Sequence, residues 1–202
     1  MRSLVLASTA AHRAALLARL GIPFTPEAPQ CEELVPEDRP YSAREASDLG
    51  LENARRKAES LRGAHPGAII LAADQVCECD GRIFGKPETS ARAIDQLRAL
   101  AGKEHRLHNG LYCLDADDGR AETALVVASL RMRALSFEEI VRYVERERPL
   151  RSCGGYLSEG VGVALFSHMD AGDPGAIVGL PLLATAELLR GFGLDPLGAG
   201  TP

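Results

Sequence analysis

The chain has 202 residues, of which 46% are hydrophobic and 25% are charged; this composition can bury a sizeable core and argues against a disordered or repeat protein. The formal net charge of −5 argues against an extended nucleic-acid-binding face, because phosphate contacts require a basic surface. No apolar stretch approaches the roughly 20 residues that cross a bilayer, and the apolar start at 4–6 is too short for a signal peptide. We therefore expect a cytoplasmic protein with neither a nucleic-acid nor a membrane partner.

The five cysteines are expected to be reduced thiols. Their number is odd, so they cannot all pair within one chain. Cys77 and Cys79 are spaced as C-x-C, which matches neither a zinc-ligand pair nor a C-x-x-C redox site.

Strand and helix patterns alternate along the chain, which predicts an α/β fold. The predicted strands lie at 3–7, within 23–40, at 68–73, at 105–114, at 122–132 and at 161–169, with a hairpin at 77–84. The predicted helices lie at 10–20, 42–62, 90–100 and 136–147, with a last helix whose first turn holds Pro181. Because the chain has no internal repeat and no long linker, we expect one domain over residues 1–202.

Local signals predict several boundaries within this pattern. Ser42-Ala-Arg-Glu45 and Ser136-Phe-Glu-Glu139 have the spacing of capping boxes, which predicts that a helix begins at each. Asp80-Gly81 is typical of the tight turn of a hairpin.

Two polar segments follow predicted strands, at the positions where open α/β sheets bind their ligands. The first, residues 7–13, is a strand-loop-helix junction whose free amides, with Ser8, Thr9 and Arg13, would suit a phosphate. An ordinary helix cap beside a solvated arginine is the alternative, because the segment has no glycine signature. The negative net charge still permits one small phosphate ligand held by a few local cations.

The second segment places Asp74 directly after the buried strand predicted at 68–73. Burying a carboxylate there is costly in free energy unless it is hydrated, paired or coordinating a metal. Two roles of Asp74 are equally compatible with this position: a functional group, or a structural salt bridge or turn cap. Lys57, Lys86 and Glu33, taken singly, are typical of surface charges. No single motif names a reaction.

Six separated segments of the sequence read LASTAAHRAALLARLGIPF, CEE, ENARRKA, AADQVCECDGRIFGKP, SCGGYLSEGVGVALF and DPGAIVGLPLL. In this order and spacing they resemble the Maf-like nucleoside triphosphate pyrophosphatases over nearly the whole chain. ADQVC, YLSEG and VGLPLL are similar to the branch assigned to 7-methyl-GTP rather than the branch assigned to dTTP and UTP. The resemblance implies a mixed central sheet flanked by helices, elongated, with a cleft between two lobes, as in inosine triphosphatase-like folds.

The resemblance also implies a reaction and a set of residues for it. The reaction is hydrolysis of a nucleoside triphosphate between its α and β phosphates, giving a monophosphate and pyrophosphate, with Mg²⁺ or Mn²⁺ as the divalent cation. Asp74 would be the proton acceptor. The phosphate-binding residues would be Ser8, Arg13, Lys57 and Lys86, the metal contacts Glu33 and Asp74, and the specificity residues His12, Gln75 and Glu159. Relatives also suggest a homodimer.

Four positions of the first segment depart from the family pattern. Ala10 and Ala11 replace a serine and a proline, Ala14 stands where many members of the branch have a second arginine, and His12 stands where they often have tryptophan. Two other functions therefore stay open. One is a pyrophosphatase for dTTP and UTP, or a house-cleaning enzyme of broad specificity; the other, from a different class, is a nucleotide-binding cell-division regulator with little turnover.

Overall fold

A computed structural model describes residues 2–173 and 175–198 of the protein. Pro174, in the segment DPGAIVGLPLL, lies outside the described residues. The strands are β1 (Leu4–Leu6), β2 (Phe24–Pro26), β3 (Ile69–Cys79), β4 (Arg82–Phe84), β5 (Glu104–Asp115), β6 (Ala121–Met132) and β7 (Phe166–Asp170). The α-helices are α1 (Ala11–Ala18), α2 (Ala43–Glu59), α3 (Ser90–Leu100), α4 (Phe137–Glu147), α5 (Gly175–Val178) and α6 (Leu182–Gly191). Short 3₁₀ helices span Arg62–Ala64, Cys153–Gly155 and Val161–Leu165.

The strands of the described residues form one seven-stranded mixed sheet. Six lie in the order β2-β1-β3-β5-β6-β7, and β4 pairs with β3 as a hairpin. β1 is parallel to β2 and β3, whereas β3, β5, β6 and β7 are antiparallel neighbours. Helices flank the sheet, with α2 packed on β3 and β5 and α6 packed on β5 and β6. The predicted α/β class with a mixed central sheet is confirmed.

β3 is longer than the strand predicted at 68–73, and it carries Asp74 in its interior. The strand spans Ile69–Cys79 and pairs with β5 along nearly its whole length, with Asp74 opposite Gly110. The prediction that the strand ends before Asp74 is wrong, because the antiparallel pairing continues past this residue. The parallel neighbour β1 does end early, at Leu6. Asp74 therefore lies beyond the carboxyl end of β1, where open α/β sheets bind ligands.

α2 approaches the sheet closely at one point, where two glycines face each other. A Cβ atom on Gly110 would lie 2.4 Å from the carbonyl carbon of Gly50, so the approach depends on the missing side chain at position 110. The capping box predicted at Ser42 is present and begins the helix. Asn53 and Lys57, one turn apart on the helix, are both buried against the sheet.

The strand predicted at 161–169 is only partly correct. Val161–Leu165 forms a 3₁₀ helix, and Phe166–Asp170 alone becomes a strand. Gly162 packs against the carbonyl oxygen of Leu157, where an added Cβ would come within 2.0 Å, so the backbone folds back instead of extending. The sequence pattern also does not predict α5, because four residues are too few to show a helical period.

The core of the described residues consists of three apolar clusters. The first cluster joins β1, α1 and α6. The second joins α2 to β1, β3 and β5. The third joins α3 and α4 to the C-terminal parts of β3 and β6 and the N-terminal part of β5. The cleft implied by the resemblance is a cavity of about 710 Å³ between the β1–α1 junction and the segments 83–88 and 151–159. No helix among residues 2–173 and 175–198 has both the length and the apolar character needed to cross a membrane.

Candidate active site

All nine residues that the sequence predicts for the site lie around the cavity of about 710 Å³. They come from the β1–α1 junction, the loop before α2, α2 itself, β3, the loop after β4 and the loop after α4. The nine are Ser8, His12, Arg13, Glu33, Lys57, Asp74, Gln75, Lys86 and Glu159. The fold thus gathers side chains that are far apart in the sequence around one cavity.

Asp74 is held by two side chains of α2. Lys57 Nζ lies 2.5 Å from Asp74 Oδ1, and Asn53 Nδ2 donates to Asp74 Oδ2 at 3.3 Å. All three residues are buried, so the paired ammonium offsets part of the cost of desolvating the carboxylate. Asn53 is not among the residues predicted from the sequence. Its spacing of four residues from Lys57 in ENARRKA, which places both on one helix face, is the signal that could have found it.

Glu33 shares the ammonium of Lys57 and receives a second one. Lys57 Nζ lies 2.8 Å from Glu33 Oε1, and Lys86 Nζ donates to both oxygens of the carboxylate, at 3.1 and 2.8 Å. Partial burial would raise the pKa of Glu33, but the charge and hydrogen bond of Lys57, followed by those of Lys86, outweigh it and lower the pKa to about 2. Positive and negative charges therefore alternate along this wall of the cavity.

The N-terminus of α1 opens on the cavity, and no side chain of the described residues caps it. Ser8 Oγ accepts a hydrogen bond from the Ala10 N–H at 3.2 Å, which leaves the first-turn amides of α1 for a ligand. Arg13 Nε donates to the Gly179 carbonyl at 3.0 Å, which orients the guanidinium. Ala14 packs on the apolar cluster of β1 and is not among the described residues that line the cavity, so this departure from the family pattern lies outside the cavity wall.

Gln75 is the one half-buried residue of β3, and every other residue of the strand is buried. Its Nε2 donates to Asn109 Oδ1 at 3.0 Å and to the Ala176 carbonyl at 2.9 Å, and Cys153 Sγ lies 3.4 Å from its Oε1. Burial raises the pKa of Cys153 to about 12, so the thiol keeps its proton at neutral pH. Neither Asn109 nor Cys153 has a local sequence signal, because each reaches Gln75 only through the tertiary fold.

His12 and Glu159 lie at the exposed rim of the cavity. Glu159 accepts a hydrogen bond from the neighbouring Ser158 hydroxyl at 3.2 Å. Partial burial of the imidazole and the positive charge of Arg13 lower the pKa of His12 from its ordinary 6.5, against the opposing charge of Glu159. The lowered pKa favours the neutral form of His12, which can present the face of its ring to a base.

Glu33 and Asp74 are the two carboxylates of the cavity that could hold a hard divalent cation. Their oxygens both contact Nζ of Lys57, at 2.8 and 2.5 Å, so the two carboxylates lie close together with the lysine ammonium between them. In the part of the chain that the structure describes, no group of three or more His, Cys, Asp and Glu side chains could hold a metal. Mg²⁺ commonly takes one or two protein carboxylates and completes its shell with substrate phosphates and water, which agrees with the pair found here.

Similarity to known proteins identifies the family of the chain. A family model described as "Maf-like protein" matches residues 3–192. The chain belongs to the Maf-like family. The Maf-like chain is 38% identical over 200 residues to a protein named 7-methyl-GTP pyrophosphatase in Burkholderia pseudomallei (strain 1710b), a match that covers 98% of this chain and 92% of the relative. The same figures hold for proteins of that name from Burkholderia mallei (strain ATCC 23344) and Burkholderia pseudomallei (strain K96243).

Proposed function

We propose that this Maf-like chain is a nucleoside triphosphate pyrophosphatase with 7-methyl-GTP as its substrate. It hydrolyses the bond between the α and β phosphates and releases 7-methyl-GMP and pyrophosphate. The observation that carries the proposal is the position of one carboxylate, Asp74, in a cavity whose wall also presents lysines, an arginine and an uncapped helix N-terminus. The name of the relatives supports the choice of substrate.

In this reaction Asp74 accepts the proton of the attacking water. The water oxygen forms a bond to the α phosphorus while the bond from that phosphorus to the bridging oxygen breaks, and the electron pair leaves with pyrophosphate. Lys57 and Asn53 hold the carboxylate in place. Since charge spreads over the phosphate oxygens during such a transfer, positioning and electrostatic stabilisation supply most of the rate enhancement.

Two groups of donors bind the phosphates. Arg13, Ser8 and the first-turn amides of α1 line the same cavity as Lys57 and Lys86. Helix N-terminal amides and cations both favour phosphate oxygens. This arrangement would hold the triphosphate with its α phosphorus near Asp74.

Glu33 and Asp74 would hold the divalent cation, Mg²⁺ or Mn²⁺, together with phosphate oxygens of the substrate. When bound, the cation neutralises negative charge on those oxygens. The pKa of Glu33 is about 2, because Lys57 and Lys86 favour the ionised form, so the carboxylate is ionised throughout the neutral range.

His12, Gln75 and Glu159 select the base. Methylation at N7 gives guanine a formal positive charge, which the carboxylate of Glu159 attracts. Glu159 can also accept hydrogen bonds from the Watson-Crick edge of guanine, and leaving such donors buried and unpaired would cost about 1 to 3 kcal/mol. The neutral ring of His12 offers a smaller stacking surface than tryptophan.

Pyrophosphate release by the purified protein tests the proposal, with 7-methyl-GTP, GTP, dTTP, UTP and CTP as substrates and Mg²⁺ or Mn²⁺ present. We expect preferential release from 7-methyl-GTP and its loss when the metal is chelated. The Asp74→Asn variant should be slower by at least about 100-fold, because it cannot accept the proton. Asp95→Asn, an exposed residue of α3, is the matched control and should retain the parental rate.

Other results would point to other functions. Activity of Asp74→Asn within a few-fold of the parent would overturn the role of Asp74. A preference for dTTP and UTP would assign the other branch, and similar rates on several nucleotides would indicate the house-cleaning enzyme. Tight nucleotide binding without release would favour the regulator.

We also propose a cytoplasmic location and a homodimer. All five cysteines are free thiols in the described structure, which suits a reducing compartment. The homodimer rests on the family resemblance. Cell fractionation and light scattering of the purified protein check the two points.

A further inference from the structure

The side-chain amide of Gln75 has only one favourable orientation. Its Nε2 faces the backbone carbonyl oxygens of Ala176, at 2.9 Å, and Ile177, at 3.3 Å, and a carbonyl oxygen can only accept a hydrogen bond. Turning the amide by 180° would bring its own oxygen against these two acceptors. Gln75 Oε1 therefore lies on the other side, next to the thiol of Cys153 in the cavity wall.

Asn109, behind Gln75 on β5, is oriented in the same way. Its Nδ2 donates to the carbonyl oxygens of Leu107 at 3.3 Å and Val126 at 3.2 Å, which leaves its Oδ1 to accept from Gln75 Nε2 at 3.0 Å. Asn109 is 0% exposed, and it is not among the described residues that line the cavity. Its side chain cannot meet a ligand directly, so its effect on the cavity passes through Gln75.

The thiol of Cys153 contacts the side-chain oxygen of Gln75 and agrees with the same orientation of the amide. Its Sγ donates to Gln75 Oε1 at 3.4 Å, so this contact also uses the amide oxygen as an acceptor. An amide oxygen has two lone pairs, and one of them therefore remains for a ligand.

We propose that Asn109 is a specificity-positioning residue, which fixes Gln75 so that the nucleotide meets a hydrogen-bond acceptor at this point of the cavity. This inference rests on the proposed function and states which substrate group Gln75 selects. The group is a donor, an N–H, amino or hydroxyl group of the base or ribose. A phosphate oxygen is disfavoured there, because two acceptors repel each other. In 7-methyl-GTP the candidates are the N1–H, the exocyclic amine and the two ribose hydroxyls.

The substitution Gln75→Met tests the acceptor, because it removes the amide oxygen while keeping a side chain of similar length. The substrates are 7-methyl-GTP and four analogues that each lack one donor: 7-methyl-ITP, 1,7-dimethyl-GTP, and the 2′-deoxy and 3′-deoxy forms of 7-methyl-GTP. We expect Gln75→Met to lower kcat/KM for 7-methyl-GTP by about tenfold or more. The loss should shrink to about twofold or less for the one analogue that lacks the paired donor.

The role of Asn109 is tested by coupling it to Gln75. Asn109→Ala should reduce the preference for the same donor by about threefold or more, and should have no further effect on that preference in the Gln75→Met background. A ratio of two substrates does not depend on the amount of folded protein, so a partly unfolded variant still gives an answer.

Equal losses on every analogue would overturn the inference, because a purely structural role lowers activity on all substrates alike. Additive effects of Gln75→Met and Asn109→Ala on the substrate ratio would overturn it as well. If the parent releases no pyrophosphate, the proposed function has failed, and the same ratios are then taken from Kd values measured by calorimetry. Loss of the donor preference in Gln75→Met and Asn109→Ala at the level of binding would support the inference independently of turnover.

Discussion

Glu33 and Cys153, two side chains of the same cavity, have pKa values shifted in opposite directions. The flanking ammonium groups lower the pKa of Glu33 to about 2 against the effect of its partial burial, whereas burial raises the pKa of Cys153 to about 12. At His12 the influences are mixed: partial burial and Arg13 lower its pKa, and Glu159 raises it. The titration of His12 therefore reports on the electrostatic balance at the cavity rim.

At this residue scale we predict that Glu159→Gln lowers the pKa of His12 further. The substitution removes the negative charge that favours the imidazolium, while burial and Arg13 continue to oppose it. NMR titration of the His12 ring should show a midpoint below 6.5 in the parent and a lower one in the variant. Glu145→Gln, an exposed position of α4, is the control. An unchanged or higher midpoint in Glu159→Gln would contradict the assigned contact.

At the scale of the element, α2 supplies both side chains that hold Asp74. Its capping box sets where the helix begins, and the contact between Gly50 and Gly110 sets how close it lies to the sheet. Because Gly110 is also the register partner of Asp74, the closest approach of α2 lies directly beside the carboxylate. The geometry of the Asp74 pair with Lys57 therefore depends on a residue that carries no functional group.

We predict that Gly110→Ala lowers both the stability and the activity of the protein. Its Cβ would lie 2.4 Å from the carbonyl carbon of Gly50, so α2 must shift, at a cost of about 1 to 3 kcal/mol, and Lys57 moves with it. Urea unfolding and kcat/KM at a temperature where the variant is folded measure the two effects. Gly63→Ala, whose Cβ would have no atom within 4 Å, should change neither. Full activity of folded Gly110→Ala would show that the position of α2 does not govern the site.

At the scale of the whole molecule, the sheet buries two histidines in their neutral form. His105 is 2% exposed; its Nε2 is 2.9 Å from the Tyr156 hydroxyl, and its Nδ1 has no hydrogen-bond partner among the described residues. Burial lowers its pKa to about 4, against the raising effect of Glu104. Burial also lowers the pKa of His108. The unfolded chain therefore binds protons in a pH range where the folded chain does not.

We predict that stability falls as the pH is lowered from 6.5 towards 4. The folded-state pKa of His105, about 4, lies below its ordinary 6.5, so its contribution is complete above pH 6.5 and is lost progressively below it. At about 1.4 kcal/mol per pKa unit, the loss from this residue is roughly 3 kcal/mol. Urea unfolding at several pH values measures the slope.

His105→Gln, which can still bond to Tyr156, should reduce the slope of stability against pH over this range. Val144→Ala, a substitution in the same apolar cluster, should lower the stability at every pH and leave the slope unchanged. An identical slope in the parent and His105→Gln would contradict the prediction.

Elements that depend on contacts between nearby residues were predictable from the sequence, whereas elements that depend on distant contacts were not. The capping boxes at Ser42 and Ser136 and the turn at Asp80-Gly81 were predictable because the contacts that form them span only a few residues. The end of β3 was misplaced because its pairing with β5, far along the chain, decides its length. The strand pattern at 161–169 was overridden by the close packing of Gly162.

The sequence by itself determined the α/β class, the family and the set of nine residue positions that line the cavity. Only the tertiary structure decided that Lys57 pairs with Asp74, that Asn109 orients Gln75, and that Gly110 lets α2 lie close to the sheet. These contacts join residues that are distant in the chain. Whether they meet depends on strand register and on the distance between helix and sheet, neither of which is encoded in the spacing of a local motif.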